Sequence, residues 1–279
     1  GSHSGYQLTG ASYNTGVGRS SLVSITSGNS NVAVGAYAAD SVTSGEQNIA
    51  IGFESAKSIT IGDNNIAIGR EALATEDVGD RSIAIGTNAL FSQNSDSDNE
   101  DAENVAVGIA TGYYNVTGQF NTYIGNLSGY GASGQSNSSN TAVGYKSLFA
   151  VTTGGNNTAL GNLALRDLTT GGYNVVIGDE SGVNLETGDE NVIVGISAGG
   201  NTIDVDKAVL IGAGAGAGVL TSAADATIAI GYTAGAAITS GVANLAIGYK
   251  AMLTHTTGHS NIVIGYGAMD DTDAGSNSK

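Results

Sequence analysis

Tyr232, Tyr249 and Tyr266 stand 17 residues apart, and Tyr145 falls in the same column earlier in the chain. Aromatic rings brought to one surface can grip a protein or a glycan. The same rings can also form a stacking ladder along a seam between chains. A second candidate is the stretch 92–103, where five carboxylates crowd into twelve residues. Hard cations such as calcium want several oxygen ligands, but the glycine and the final bidentate Glu of an EF-hand loop are missing. The stretch is expected to be a solvated acidic loop, and no metal is expected. His255 and His259 lie four apart; on a coil of strands that spacing does not aim both rings at one ion, so both are expected on the surface. The glycine-rich run from Gly212 to Gly218 lacks the Lys-Ser/Thr pair and the strand-to-helix setting of a phosphate cradle. No Ser/His/Asp set and no paired carboxylates recur in a pocket-like setting. The chain is therefore expected to be non-enzymatic, with no cofactor.

The element that positions these residues is a repeat. Asn-x-Ala-Ile/Val-Gly occurs as Asn31–Gly35, Asn48–Gly52 and Asn65–Gly69, and its closing glycine falls at fifteen positions from Gly18 to Gly265. The gaps are 17 residues, except one of 22 and two of 19. A fixed period of this size means stacked coils. With the Asn as position 1 and the glycine as position 5, position 1 is Asn in twelve of fifteen units, the exceptions being Ser82, Ala208 and Thr227. Position 2 is β-branched in all but Leu245, position 3 is mostly Ala, and position 4 is aliphatic. Position 8 is Ala, Ser or Thr throughout.

β-Branched residues at positions 2 and 4 predict a short strand. A second short strand is expected through positions 9–13, closed by a glycine turn. Coils stacked in parallel about 4.8 Å apart would give a rod of roughly 70 Å. Strand alternation places positions 2 and 4 on one face and position 3 on the other. The large residues are expected to fill the coil, leaving an apolar alanine-rich row outside. Such a row should not stand in water, and side-by-side packing with other copies in a closed point group would cover it. The small residues at position 8 suggest close approach of another backbone. On this expectation Ala50→Arg or Ala159→Arg would break association before it broke the coil. The Asn column is expected to form amide ladders that also satisfy turn backbone, and the position-5 glycines to adopt positive φ or allow tight passage.

Composition narrows the class. The chain has 44 glycines, no proline, no cysteine and a net charge of −16. Absence of cysteine excludes a disulfide scaffold and a thiolate metal site. The charge argues against nucleic acid or an anionic membrane as partner, and no apolar run is long enough to span a bilayer. Residues 1–4 resemble a tag-cleavage scar, residues 5–270 are expected to form one β-roll repeat domain, and residues 271–279 a polar tail. Natural ends carrying a secretion signal or anchor are expected to be missing.

Asn-x-Ala-Ile-Gly followed by a small residue three places on resembles the head repeat of YadA-like trimeric autotransporter adhesins, over roughly residues 11–270. Similar repeats occur in phage tail and receptor-binding fibres. The resemblance implies an all-β, left-handed parallel β-roll of about fifteen coils, a homotrimer, an extracellular location on a bacterial surface or virion tail, and adhesion to a host-surface protein or glycan. The 17-residue period departs from the adhesin head, whose repeat is nearer 14. A surface adhesin is the leading expectation and a phage tail fibre the alternative. A carbohydrate-active spike would need an acid and base carboxylate pair, and none is evident. An ice-binding rod would use the Thr at positions 13 and 14, as at Thr152 and Thr169, but Asp77, Glu186 and Val116 interrupt that column.

Overall fold

A computed structural model describes residue 4 and residues 10–97 and 101–270. The polar tail and most of the tag scar lie outside these residues. The chain is an all-β parallel solenoid of fifteen turns, each carrying one three-residue strand; the helical content of the described residues is one 3-10 turn, Ser222–Ala224. It divides into two compact units, residues 1–140 and 141–279. In the first, β1 (Thr15–Val17), β2 (Val32–Val34), β3 (Ile49–Ile51), β4 (Ile66–Ile68), β5 (Ile83–Ile85), β6 (Val105–Val107) and β7 (Thr122–Ile124) pair in sequence order. In the second, β8 (Thr141–Val143), β9 (Thr158–Leu160), β10 (Val175–Ile177), β11 (Val192–Val194), β12 (Val209–Ile211), β13 (Ile228–Ile230), β14 (Leu245–Ile247) and β15 (Ile262–Ile264) do the same. Every one of these pairs is parallel and in register, so each column of the repeat becomes a physical row: Ile49, Ala50 and Ile51 lie on Ile66, Ala67 and Ile68.

The strand faces the opposite way from the sequence expectation. Position 3 is the buried one: Ala33, Ala50, Ala67, Ala84 and Ala106 in the first unit, and Ala142, Ala159, Val176, Ile193 and Leu210 in the second, are all sealed from solvent. Positions 2 and 4 point outward, with Ile51 37% and Ile177 38% exposed. The reason is cross-section. One coil encloses inward columns at positions 3, 8, 9 and 12 beside the asparagine at position 1, and the room is small. Where position 3 is Ala, position 9 is commonly Leu or Met, as in Ala67/Leu73, Ala159/Leu165 and Ala246/Met252. In four of the five coils where position 3 is large, position 9 is glycine: Tyr123/Gly129, Val176/Gly182, Ile193/Gly199 and Leu210/Gly216, the exception being Val263/Met269 in the last coil. A Cβ at Gly129 would press on the Tyr123 ring at 2.6 Å, and one at Gly199 would meet Ile193 at 3.2 Å. Interiors packed to crystal density enforce such exchanges of volume.

Among the described residues the second strand is not formed. Positions 6–11 make turns in which positions 7 and 9 take left-handed backbone, as at Glu54 (φ 54°) and Ala56 (φ 48°). Position 13 nonetheless builds a second ladder: Thr26 N–H donates to Thr43 O (2.9 Å) and Thr43 N–H to Thr60 O (2.8 Å), with each threonine hydroxyl donating to the same carbonyl. The small residues at position 8 are inside their own coil, where Ser55 Oγ donates to Gly52 O at 3.2 Å. They make room for this chain's backbone rather than another's.

The asparagine ladder forms as expected. Asn48 Nδ2 donates to Gly62 O (2.7 Å), closing its own coil, while its Oδ1 accepts the backbone N–H of Asn65 in the next (2.9 Å). Each asparagine thus answers backbone groups that burial would leave without water. Gly52 sits at φ +137°, and a Cβ there would overlap the Gly69 carbonyl, so glycine is required both for conformation and for passage.

Candidate functional site

The solenoid sorts its surface by column. Outward positions 2 and 4 give each unit two adjacent rows of Ile, Val and Thr. In the first unit Val34, Ile51 and Ile124 are 36–40% exposed; in the second Val143, Val175 and Ile211 are 36–39% exposed. A residue flanked by neighbours along and across a sheet keeps that much exposure only if nothing lies over it.

Position 6 follows directly on this face. Here the structure brings Tyr232, Tyr249 and Tyr266 into one stack, with ring centroids 5.4 and 4.9 Å apart and planes within 15°. Tyr145 stands alone in its column, with the Lys146 ammonium 5.4 Å from its ring centre. Offset stacking spends the ring faces on one another. A ligand that needs a flat face, as a sugar does, finds edges and hydroxyls along most of this ladder.

The other candidates are placed as follows. Of the acidic stretch, residues 98–100 lie outside the described residues. Asp101 and Glu103 both pair with Arg81, and among the described residues no group of three or more acidic or histidine side chains is arranged to hold a metal ion. His259 is exposed, but His255 is fully buried, contrary to expectation. It occupies position 12, where its Nε2 accepts the Gly258 N–H at 3.1 Å. The threonine hydroxyls at Thr152 and Thr169 donate to carbonyls of the next coil, so they are committed to the fold.

Two features were missed in the sequence. The first is a cluster at position 10, where Phe91, Tyr113 and Tyr130 stack at 5.0 and 5.4 Å and Tyr114 meets the last two edge-on. Burial raises the Tyr113 and Tyr130 hydroxyls above the ordinary tyrosine value. The inserted residues displace Phe91 and Tyr113 from the 17-residue spacing, which hides the column. The second is a cleft of about 330 Å³ in the second unit, lined by Arg166, Glu180, Val183, Asn184, Ser197, Gly200, Asn201 and Ala217. Its rims are position 7 (Glu180, Ser197) and position 11 (Asn184, Asn201). Its floor is position 10, where Gly200 and Ala217 follow Val183. The signal was the pair of small residues at positions 9 and 10, Gly199-Gly200 and Gly216-Ala217, which leave a hollow where Leu165 and Arg166 stand two coils before.

No family model matches the chain, and no curated protein matches it.

Proposed function

We propose that this chain is a segment of a non-enzymatic, homotrimeric fibre that attaches to a host or cell surface, as a bacterial surface adhesin head does. The observation that carries the reading is the outward face of β-branched residues at positions 2 and 4. Two apolar rows repeated at every coil form a patch of the kind that marks an interaction surface. A partner with the same repeat presents the same rows at the same spacing, and closed cyclic symmetry leaves no sticky face over. The resemblance of Asn-x-Ala-Ile-Gly to YadA-like head repeats supports three copies and an extracellular setting. The non-enzymatic part is supported by the cleft, which offers Glu180 as its one lining carboxylate, whereas glycoside cleavage takes a pair.

Sedimentation of the purified chain at micromolar concentration tests the assembly. The expected mass is three times the 27.6 kDa of one chain. Attachment of fluorescently labelled protein to cultured epithelial cells tests the adhesive role. A stable monomer, or a trimer that leaves cells unlabelled, overturns the corresponding half of the reading.

A further inference from the structure

The cleft in the second unit has the chemistry of a polyol site. Glu180 and Ser197 are held on one rim by left-handed backbone (φ 52° and 51°), which projects consecutive side chains of the column along the same edge. On the other rim Asn184 Nδ2 donates to Gly200 O (2.6 Å) and Asn201 Nδ2 to Ala217 O (2.7 Å). Both amides are thereby fixed in orientation. Arg166 closes one end. Its Nε donates to Asp167 Oδ1 at 2.7 Å, its Nη2 contacts Asp167 Oδ2, and Nη2 reaches Asn184 Oδ1 at 3.3 Å. The Glu180 carboxylate and the Ser197 hydroxyl make no hydrogen bond among the described residues, and Arg166 Nη1 has none either.

These open groups select the ligand. Asp167 already takes the charge of Arg166 and, by its hydrogen bonds, raises the guanidinium pKa above the ordinary value. Glu180 adds a second carboxylate near the same guanidinium, which leaves the cleft net negative and disfavours an anion. A simple amine would use Glu180 alone and leave the donors on Arg166 and Ser197 unanswered. Adjacent hydroxyl groups answer both kinds: a carboxylate accepts from two neighbouring hydroxyls in charge-assisted bonds, while Arg166 Nη1 and Ser197 engage the ring oxygen and a third hydroxyl. Val183, Gly200 and Ala217 line the cleft with small side chains, which leave room for the C–H face of a sugar ring. The volume is at the small end of ligand sites, fitting the terminal residues of a longer glycan. We infer that this cleft binds the end of a neutral oligosaccharide through Glu180, Ser197 and Arg166. The inference rests on the adhesive reading for the source of the glycan, and not on the trimer.

The test is an array of galactose-, glucose- and N-acetylhexosamine-terminated oligosaccharides beside sialylated and sulfated ones, followed by calorimetry of the full chain with the best neutral trisaccharide. Neutral glycans are expected to bind and acidic ones not. Ala217→Phe, which fills the floor, should abolish binding. Glu180→Gln should weaken it about tenfold, the scale of one charge-assisted contact. Both variants should keep the wild-type circular dichroism and sedimentation; if Ala217→Phe misfolds, Glu180→Gln decides. No neutral glycan bound at millimolar concentration, preference for acidic glycans, or full binding in Glu180→Gln overturns the site. Glycan binding in calorimetry without attachment to cells would instead sink the adhesive reading and leave the cleft standing.

Discussion

The first three coils and the next three share one strand pattern, yet their interiors are held differently. In coils one to three, position 12 is Ile25, Val42 and Ile59; in coils four to six it is Glu76, Gln93 and Asn115, all equally buried. In the apolar coils the position-15 N–H reaches the next coil, Gly28 to Thr43 O and Gly45 to Thr60 O. In coil four, where the following coil carries the five-residue insertion, the Gly79 N–H turns to a side chain of its own coil. That side chain is the Glu76 carboxylate. Its Oε1 accepts from the N–H groups of Gly79 (2.8 Å), Asp77 (3.1 Å) and Ser95 (3.1 Å), and its Oε2 from Ser95 Oγ (3.1 Å). Gln93 Oε1 then ties Asn104 and Asn115, and Asn115 Oδ1 accepts the N–H of Asn137. The contrast teaches that the stack tolerates irregular coils where buried polar groups replace lost backbone partners. A fully satisfied polar network gives that latitude; a half-satisfied one costs stability. Among the described residues Gln93 Nε2 has no partner, which marks the weakest point of this network.

The contrast can be broken most severely from the regular side. Ala50→Arg forces a guanidinium into a sealed apolar interior, a penalty of several kcal/mol, and thermal melting should show loss of the folded stack. This reverses the expectation drawn from the sequence, because position 3 faces inward. Next in size, Glu76→Leu restores the apolar column but leaves three N–H groups and a hydroxyl without an acceptor. It should destabilise by about 3 kcal/mol, from the 1–3 kcal/mol cost of each orphaned buried group offset by the added apolar burial, read by urea denaturation. The same change toward apolar at Thr202, another polar position 12, orphans no backbone donor and should cost far less. Tyr123→Phe removes a buried hydroxyl that contacts Asn121 and Asn137, and about 1 kcal/mol is expected.

The smallest effect concerns the carboxylates at position 16. Burial, with Asp63 and Asp101 nearby, raises the Asp80 carboxyl above 3.8. A raised carboxyl favours the fold when protonated. Its contribution is present below the ordinary aspartate value and is lost as pH rises through the folded one. Asp80→Asn keeps an oxygen for the Asp63 N–H, which now donates to Asp80 Oδ1. It should raise the melting temperature at pH 7 by about 1 °C and by nothing at pH 3. The group is only partly buried, so screening keeps the effect small.

Much of the fold was legible because the period aligns identical residues by simple counting. The parallel stack, the asparagine ladder and the glycine at position 5 all follow from columns of one residue type. The facing of the strand was not, because size was taken as the guide to burial. The inward partner of Ala50 is not its strand neighbour but the set Ala56 and Ile59, six and nine residues on, and only the closed coil reveals that their volumes compete. The left-handed residues at positions 7 and 9 were hidden for a related reason: Glu54 and Leu73 carry no sign of a backbone that usually asks for glycine. Of the sites, the tyrosine column was visible and its stacking was not. The cleft depends on what Gly200 and Ala217 lack, and an absence of side chain stands out only against neighbouring coils.

Ile51→Arg, set beside Ala50→Arg, tests the central claim most directly, with sedimentation and circular dichroism on the same samples. The two residues are adjacent and point to opposite faces, so the wild type should sediment as a trimer, Ile51→Arg as a folded monomer, and Ala50→Arg should lose its β signal. A wild-type chain that sediments as a monomer, or an Ile51→Arg chain that stays trimeric with unchanged melting, would contradict the outward rows as the surface that other copies cover.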